Sequence, residues 1–91
     1  MAYMKQARLN SRLNERRIFE AWDQVSGAQA YTSRKFYRDG VLYITLNSSA
    51  ARTHLSMQKD ALLARINDIL RSDSLFDPGN PPGYVRELKL K

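Results

Sequence analysis

The sequence contains no cysteine and only one histidine among its 91 residues. Without cysteine there is no disulfide, no Cys-ligated zinc or iron–sulfur centre and no thiol nucleophile. His54 alone would have to carry every imidazole role, which disfavours histidine-rich metal sites and Ser-His-Asp catalysis. The acidic residues form no obvious pair for general acid–base work. We therefore expect a protein that is not an enzyme, with no catalytic residues, no metal and no cofactor.

Long apolar runs are also missing. No stretch approaches the roughly 18 residues that a bilayer crossing requires. The first 17 residues are basic and lack the apolar segment of a secretory signal. We therefore expect no membrane partner and a cytoplasmic location.

Negative charge is scarce, since 15 lysines and arginines face 9 aspartates and glutamates, for a formal net charge of +6. The excess is greatest before residue 18, where Glu15 is the only acid. In this segment Arg8, Arg12 and Arg16 recur every four residues and would share one helix face, with Arg17 beside it. Such dense charge indicates phosphate contact with a polyanion. The alternative is a solvated face that only keeps the protein soluble.

The hydrophobic pattern predicts the order α-β-β-α(α)-β in a single domain over residues 1–91. The fold class is α+β, with helices packed on one face of a three-stranded sheet. The first helix is expected from Asn10 or Ser11 to Gly27, and the basic N-terminus over residues 1–9 either extends it or frays. Two strands follow over residues 31–38 and 41–47, and then a helical stretch from residue 48 or 49 to about 72, with a break possible over 57–60. A loop rich in proline and glycine is expected over residues 73–83, and a last strand over residues 84–90.

Asp39-Gly40 is typical of a two-residue type I′ turn, which sets the register of the hairpin. One side of the hairpin is then aliphatic and packs on the helices, whereas the other is aromatic and basic. The residues that we expect to bind nucleic acid on or near this second side are Arg34, Lys35, Phe36, Arg38 and Tyr43. Two alternatives stay open for the aromatic pair, namely a protein interface and packing that only stabilises the hairpin.

Two polar or amphipathic residues are expected to have structural roles. Trp22 lies in the apolar stripe of the first helix and should be in the core, where its indole N–H needs a partner. Asn67 stands near the end of the long helical stretch and should close the helix end or bond a neighbouring loop. His54 is expected on the surface.

An ordered set of short motifs resembles the DciA-like family of bacterial proteins over about residues 13–70. The motifs are Trp22 with Val25-Ser26-Gly27, Thr32, Arg38-Asp39-Gly40-Val41-Leu42, Ser48-Ser49-Ala50, Leu55, Lys59, Leu62-Leu63 and Ile66-Asn67. The resemblance implies a fold similar to a type II K-homology domain. It also implies a role in replication initiation, with a DnaB-type replicative helicase as partner and DNA bound through basic surfaces.

The Gly-x-x-Gly loop of true K-homology domains would fall at residues 57–60, which contain no glycine. Any nucleic acid must then be bound by side-chain charge on the sheet or helix surfaces. The sequence leaves the oligomeric state and the orientation of the last strand open. We therefore expect a non-enzymatic nucleic-acid-binding domain, a DciA-like helicase accessory that binds DNA rather than RNA. The alternatives are an RNA-binding protein and a protein-interaction module without nucleic-acid binding.

Overall fold

A computed structural model describes residues 2–79 and 83–91, and the side chains of residues 2–11 are not among those described. The expected α+β class is confirmed, whereas the likeness to a K-homology domain stays a prediction. The elements are α1 (Ala2–Ser26), a short 3-10 turn (Gln29–Tyr31), β1 (Thr32–Arg38), β2 (Val41–Leu46), α2 (Ser49–Ser56), α3 (Lys59–Ser72) and β3 (Glu87–Leu90).

The first helix begins at Ala2 and not at Asn10 or Ser11, so residues 2–9 extend it, which is one of the two outcomes that the sequence left open. Residues 2–9 are mostly good helix formers and include no glycine or proline, so nothing in them stops the helix. The preference of Asn and Ser for helix N-termini is too weak to override that propensity. The predicted end is confirmed, because Gly27 has a φ of 60° and its N–H bonds the carbonyl of Asp23.

The hairpin has the predicted type I′ turn, with φ values of 52° at Asp39 and 80° at Gly40. Its predicted register is also confirmed, with the pairs Phe36 and Tyr43, Lys35 and Ile44, and Tyr37 and Leu42. β1 begins at Thr32 because the Tyr31 N–H closes the preceding turn on the carbonyl of Ala28.

The second helical stretch is broken as the sequence allowed, with α2 ending at Ser56 and α3 beginning at Lys59. Ser48 caps α2, since its hydroxyl accepts a hydrogen bond from the Ala51 N–H at 3.2 Å. After α3 the chain returns so that β3 lies beside β2 and parallel to it, in the sheet order β1-β2-β3.

The last strand begins at Glu87, so the expected start at residue 84 was wrong. The cause is Asn67, which binds both backbone polar groups of Val85. Its Oδ1 accepts from the Val85 N–H at 3.0 Å, and its Nδ2 donates to the Val85 carbonyl at 2.8 Å. These bonds hold Val85 on α3 instead of in the sheet ladder, and they confirm that Asn67 bonds a neighbouring loop.

The core lies between the helices and one face of the sheet. Trp22 is 0% exposed, as expected, and its Nε1 donates to Thr32 Oγ1 at 3.1 Å. The largest fully buried side chains around it are Ile18, Leu42, Ile44, Leu62, Ile66, Leu70, Val85 and Leu88. The strand side chains that point away from this core form the second face of the sheet.

Candidate nucleic-acid interface

The second face of the sheet is built from alternate residues of all three strands. We call it the open sheet face. It consists of Arg34, Phe36 and Arg38 from β1, Val41, Tyr43 and Thr45 from β2, and Glu87 and Lys89 from β3 with Lys91, which follows the strand. Lys91 continues the ladder, because its N–H bonds the Ile44 carbonyl and its carbonyl accepts from Leu46, both at 2.8 Å.

Two aromatic rings lie side by side on the open sheet face, Phe36 on the edge strand β1 and Tyr43 on the central strand β2. The Phe36 and Tyr43 ring centroids are 5.8 Å apart, with the ring planes tilted by 42°. Phe36 is 47% exposed, whereas Tyr43 is half-buried. Arg34, Thr45 and Lys91 complete a shallow depression of about 270 Å³ around the two rings. The face therefore combines an accessible aromatic surface with a basic rim.

Sequence reasoning missed Lys89 and Lys91. Their ammonium nitrogens lie 5.8 and 5.3 Å from the centroid of the Tyr43 ring, close enough for cation–π attraction. The alternation in residues 87–91 shows that both lysines share one face of the last strand. It does not show that this strand lies beside β2, which is why the pair could not be joined to Tyr43.

The open sheet face has an excess of positive charge. Its cations are Arg34, Arg38, Lys89 and Lys91, and its acid is Glu87. Arg38 lies 3.6 Å from the Asp39 carboxylate, but both side chains are mostly exposed, so this pair has little net effect. The charge of the four cations therefore remains available to a polyanion.

The structure places Lys35 on the other side of the sheet. Its Nζ lies 2.8 Å from Asp23 Oδ2 and 5.6 Å from the centroid of the Phe19 ring. Lys35 thus joins β1 to α1 and is not brought together with Phe36 and Tyr43. Because side chains alternate along a β-strand, the sequence already places Lys35 on the opposite face of the sheet from Arg34 and Phe36. The pairing of Lys35 with Asp23 can be known only from the tertiary structure.

Arg12 and Arg16 are exposed and form no ion pair with any residue whose side chain the structure describes. They lie four residues apart, and Phe19 and Asp23 continue the same stripe of α1. Since those two residues contact Lys35, this end of the stripe faces the edge strand β1. The backbone of Arg8 belongs to α1, but its side chain lies outside the described residues.

Arg17 is held by two carboxylates. Its Nε lies 2.5 Å from Asp73 Oδ2, and its guanidinium nitrogen Nη1 lies 2.7 Å from Glu20 Oε2. The hydrogen bond to Asp73 raises the pKa of Arg17, and the same bond lowers the pKa of Asp73. Arg17 therefore differs from Arg12 and Arg16, because its charge is compensated within the protein.

A second contact fixes the loop that follows α3 against α1. The Asp77 N–H bonds Asn14 Oδ1 at 2.8 Å, and Asn14 Nδ2 donates to the Asp77 carbonyl at 2.5 Å. Together with the pair formed by Arg17 and Asp73, these bonds anchor the first part of the expected loop. Pro81 and Pro82 of that loop lie outside the described residues.

The imidazole of His54 and the acidic side chains are the remaining candidates for other kinds of site. His54 is exposed, with its Nε2 3.2 Å from Gln58 Nε2. Across residues 2–79 and 83–91, no three His, Asp or Glu side chains cluster in a way that would hold a metal ion. Among the helices of that same part of the chain, none has the length and apolarity to cross a bilayer.

Residues 2–75 match the model of a protein family described as "Dna[CI] antecedent, DciA". No curated protein and no solved structure matches the chain significantly. The matched range includes α1, the hairpin, α2 and α3. It ends before β3, so Lys89 and Lys91 lie outside it.

Proposed function

The chain belongs to the DciA family, which has a replication role associated with the DnaB-type helicase, and we propose that it is a non-enzymatic DNA-binding accessory of that helicase. The family supports the replication role and the helicase as partner. The DNA contact is argued from the charges of this chain. The proposal places the protein in the cytoplasm, where it holds DNA near the helicase and carries out no covalent chemistry.

One observation carries the DNA part of the proposal: the open sheet face holds four cations and one acid. Asp23, Asp68 and Asp73 are bound by Lys35, Arg71 and Arg17. Arg34, Lys89 and Lys91 form no ion pair with any described side chain, and neither do Arg12 and Arg16. Positive charge without an acidic partner among the described side chains therefore lies on the open sheet face and on the stripe of α1 that holds Arg12 and Arg16, and also on α2 and α3 at Arg52, Lys59 and Arg65. The open sheet face combines this charge with the accessible ring of Phe36.

Phosphate contact by such cations releases counterions from DNA, so affinity falls steeply as salt rises. The contact reads no base sequence, which suits a protein that must hold DNA of any sequence. In this proposal Arg17 supports the fold, and Arg12 and Arg16 contact phosphates.

We expect the double substitution Arg12→Gln and Arg16→Gln to lower the slope of log affinity against log salt by about 1.4 to 1.8, because each lost phosphate contact removes about 0.7 to 0.9. The measurement is fluorescence anisotropy of a short labelled DNA at several salt concentrations. The matched control is Arg17→Gln, which should leave the slope unchanged because Arg17 is bound to Asp73.

Absence of DNA binding by the unmodified protein at low salt would contradict the proposal and favour a protein-interaction module. Stronger binding to RNA of the same sequence would favour the RNA-binding alternative. The helicase partner has a separate test, which is capture of purified DnaB-type helicase by the immobilised protein without DNA. Failure of that capture would contradict the helicase assignment and leave the DNA contact standing.

A further inference from the structure

We propose that the open sheet face stacks unpaired DNA bases, so that the protein binds single-stranded DNA in preference to duplex. This inference rests on the proposed function, because it takes DNA as the polymer. It adds that the DNA is single-stranded, it names the residues that contact the bases, and it gives a role to β3, which lies outside the residues matched by the family model.

Phe36 is the group that a base would contact. Its ring, on the edge strand β1, is 47% exposed and forms one wall of the depression of about 270 Å³. Tyr43 lies 5.8 Å away and extends the aromatic surface on the neighbouring strand. Every base has a π face, so stacking on such rings tolerates any sequence.

Cations lie next to both rings and are placed to hold the DNA backbone there. Arg34 and Arg38 stand on the edge strand β1, whereas Lys89 and Lys91 stand on the opposite edge. Two strand spacings separate these edges, a width of about 10 Å. Arg34 and Arg38 flank Phe36 along β1, and the two lysines lie beyond Tyr43, so a DNA strand that stacks on the rings passes next to cations of both edges of the sheet. The lysine ammonium groups now over Tyr43 are at the ends of flexible chains and can turn to phosphates.

Duplex DNA cannot use the rings in this way. Its base faces are covered by neighbouring pairs, and exposing one costs a few kcal/mol of unstacking. Duplex would therefore contact the cations without contacting the face of the Phe36 ring. Both forms of DNA can therefore contact the cations, whereas only single-stranded DNA can stack its bases on the Phe36 ring.

Charge also argues against a second copy of the chain as the occupant. Two open sheet faces in contact would bring Arg34, Arg38, Lys89 and Lys91 of each copy together, and like charges at short range repel. Phe36 is also the one large apolar residue that this face exposes among the described residues. A stable dimer interface buries more than about 1,000 Å², which one ring does not provide.

The test compares Phe36→Ala with unmodified protein on one mixed-sequence oligonucleotide, both single-stranded and annealed as a duplex. We expect affinity for the single strand to fall about 5- to 150-fold, the range for loss of one stacked base. Affinity for the duplex should change less than about twofold, because no charge is removed. Phe36→Leu keeps an apolar side chain in the hairpin and should show the same selective loss.

Tyr31→Ala is the matched control, because Tyr31 is 50% exposed but lies outside the open sheet face. It should leave both affinities unchanged. Equal losses for single strand and duplex, or no loss in either Phe36 variant, would overturn the inference while leaving the proposed function intact. Binding of single-stranded RNA tenfold tighter than DNA would overturn the choice of polymer. A concentration-dependent dimer that Phe36→Ala abolishes would assign the face to self-association instead.

Discussion

Replacing Arg34, Arg38, Lys89 and Lys91 together by glutamine is expected to weaken binding of single-stranded DNA by about two to three orders of magnitude near 0.1 M salt. Each lost phosphate contact lowers the salt slope for a single strand by about 0.7, so four contacts lower it by about 2.8. The effect is large because all four cations act on the same polymer segment. Anisotropy titrations across a salt series measure both the affinity and the slope.

A matched variant separates the position of the charges from their number. In this variant, glutamine replaces four cations of α2 and α3, so the number of positive charges removed is the same. The four residues are Arg52, Lys59, Arg65 and Arg71. We expect that variant to lose only a small part of its affinity, because distant exposed charges are screened by salt. If both variants lose affinity equally, net charge alone governs binding and the open sheet face has no special role.

Trp22→Ala is expected to lower the free energy of unfolding by about 3–5 kcal/mol, the usual cost of removing a large aromatic side chain from a core. A chain of this length has a total stability of about 5–14 kcal/mol, so much of it would be lost. Trp22 is fully buried, and its N–H binds the Thr32 hydroxyl, which in turn donates to the Ala28 carbonyl at 2.8 Å. The substitution therefore removes packing and a link between α1 and the start of β1.

Urea unfolding followed by circular dichroism measures this change, since Trp22 is the only tryptophan and its fluorescence is lost with it. Trp22→Phe is the control that keeps a ring and removes the N–H. It should cost less, about 1–2 kcal/mol. An alanine variant with the midpoint of the unmodified protein would contradict the placement of Trp22 in the core.

Local sequence signals were sufficient for much of the fold. The Asp39-Gly40 turn and strand alternation led to the register that opposes Phe36 and Tyr43, because a two-residue turn fixes the pairing of the residues next to it. The pairing shifts farther from the turn, between Thr32 and Arg34. The start of β3 was missed because Asn67 binds Val85 across 18 residues of chain. Local alternation carries no information about such a contact.

The candidate site was predictable where it depends on one hairpin and not where it depends on tertiary contacts. Arg34 and Phe36 follow from alternation within the hairpin, but Lys89 and Lys91 join them only when the strand order is known. The pairing of Arg17 with Asp73 spans 56 residues, so the basic helix face looked uniform in the sequence. Tertiary pairing decides which cations are left without an acidic partner.

The most direct test of the central claim is a ¹H–¹⁵N NMR titration of the protein with a short single-stranded DNA. The open sheet face should show the largest amide shifts, at Arg34, Phe36, Tyr43, Thr45, Lys89 and Lys91, with smaller shifts at Arg12 and Arg16. Unchanged sheet amides, with shifts confined to the turn between α2 and α3 at Met57 and Gln58, would contradict the claim.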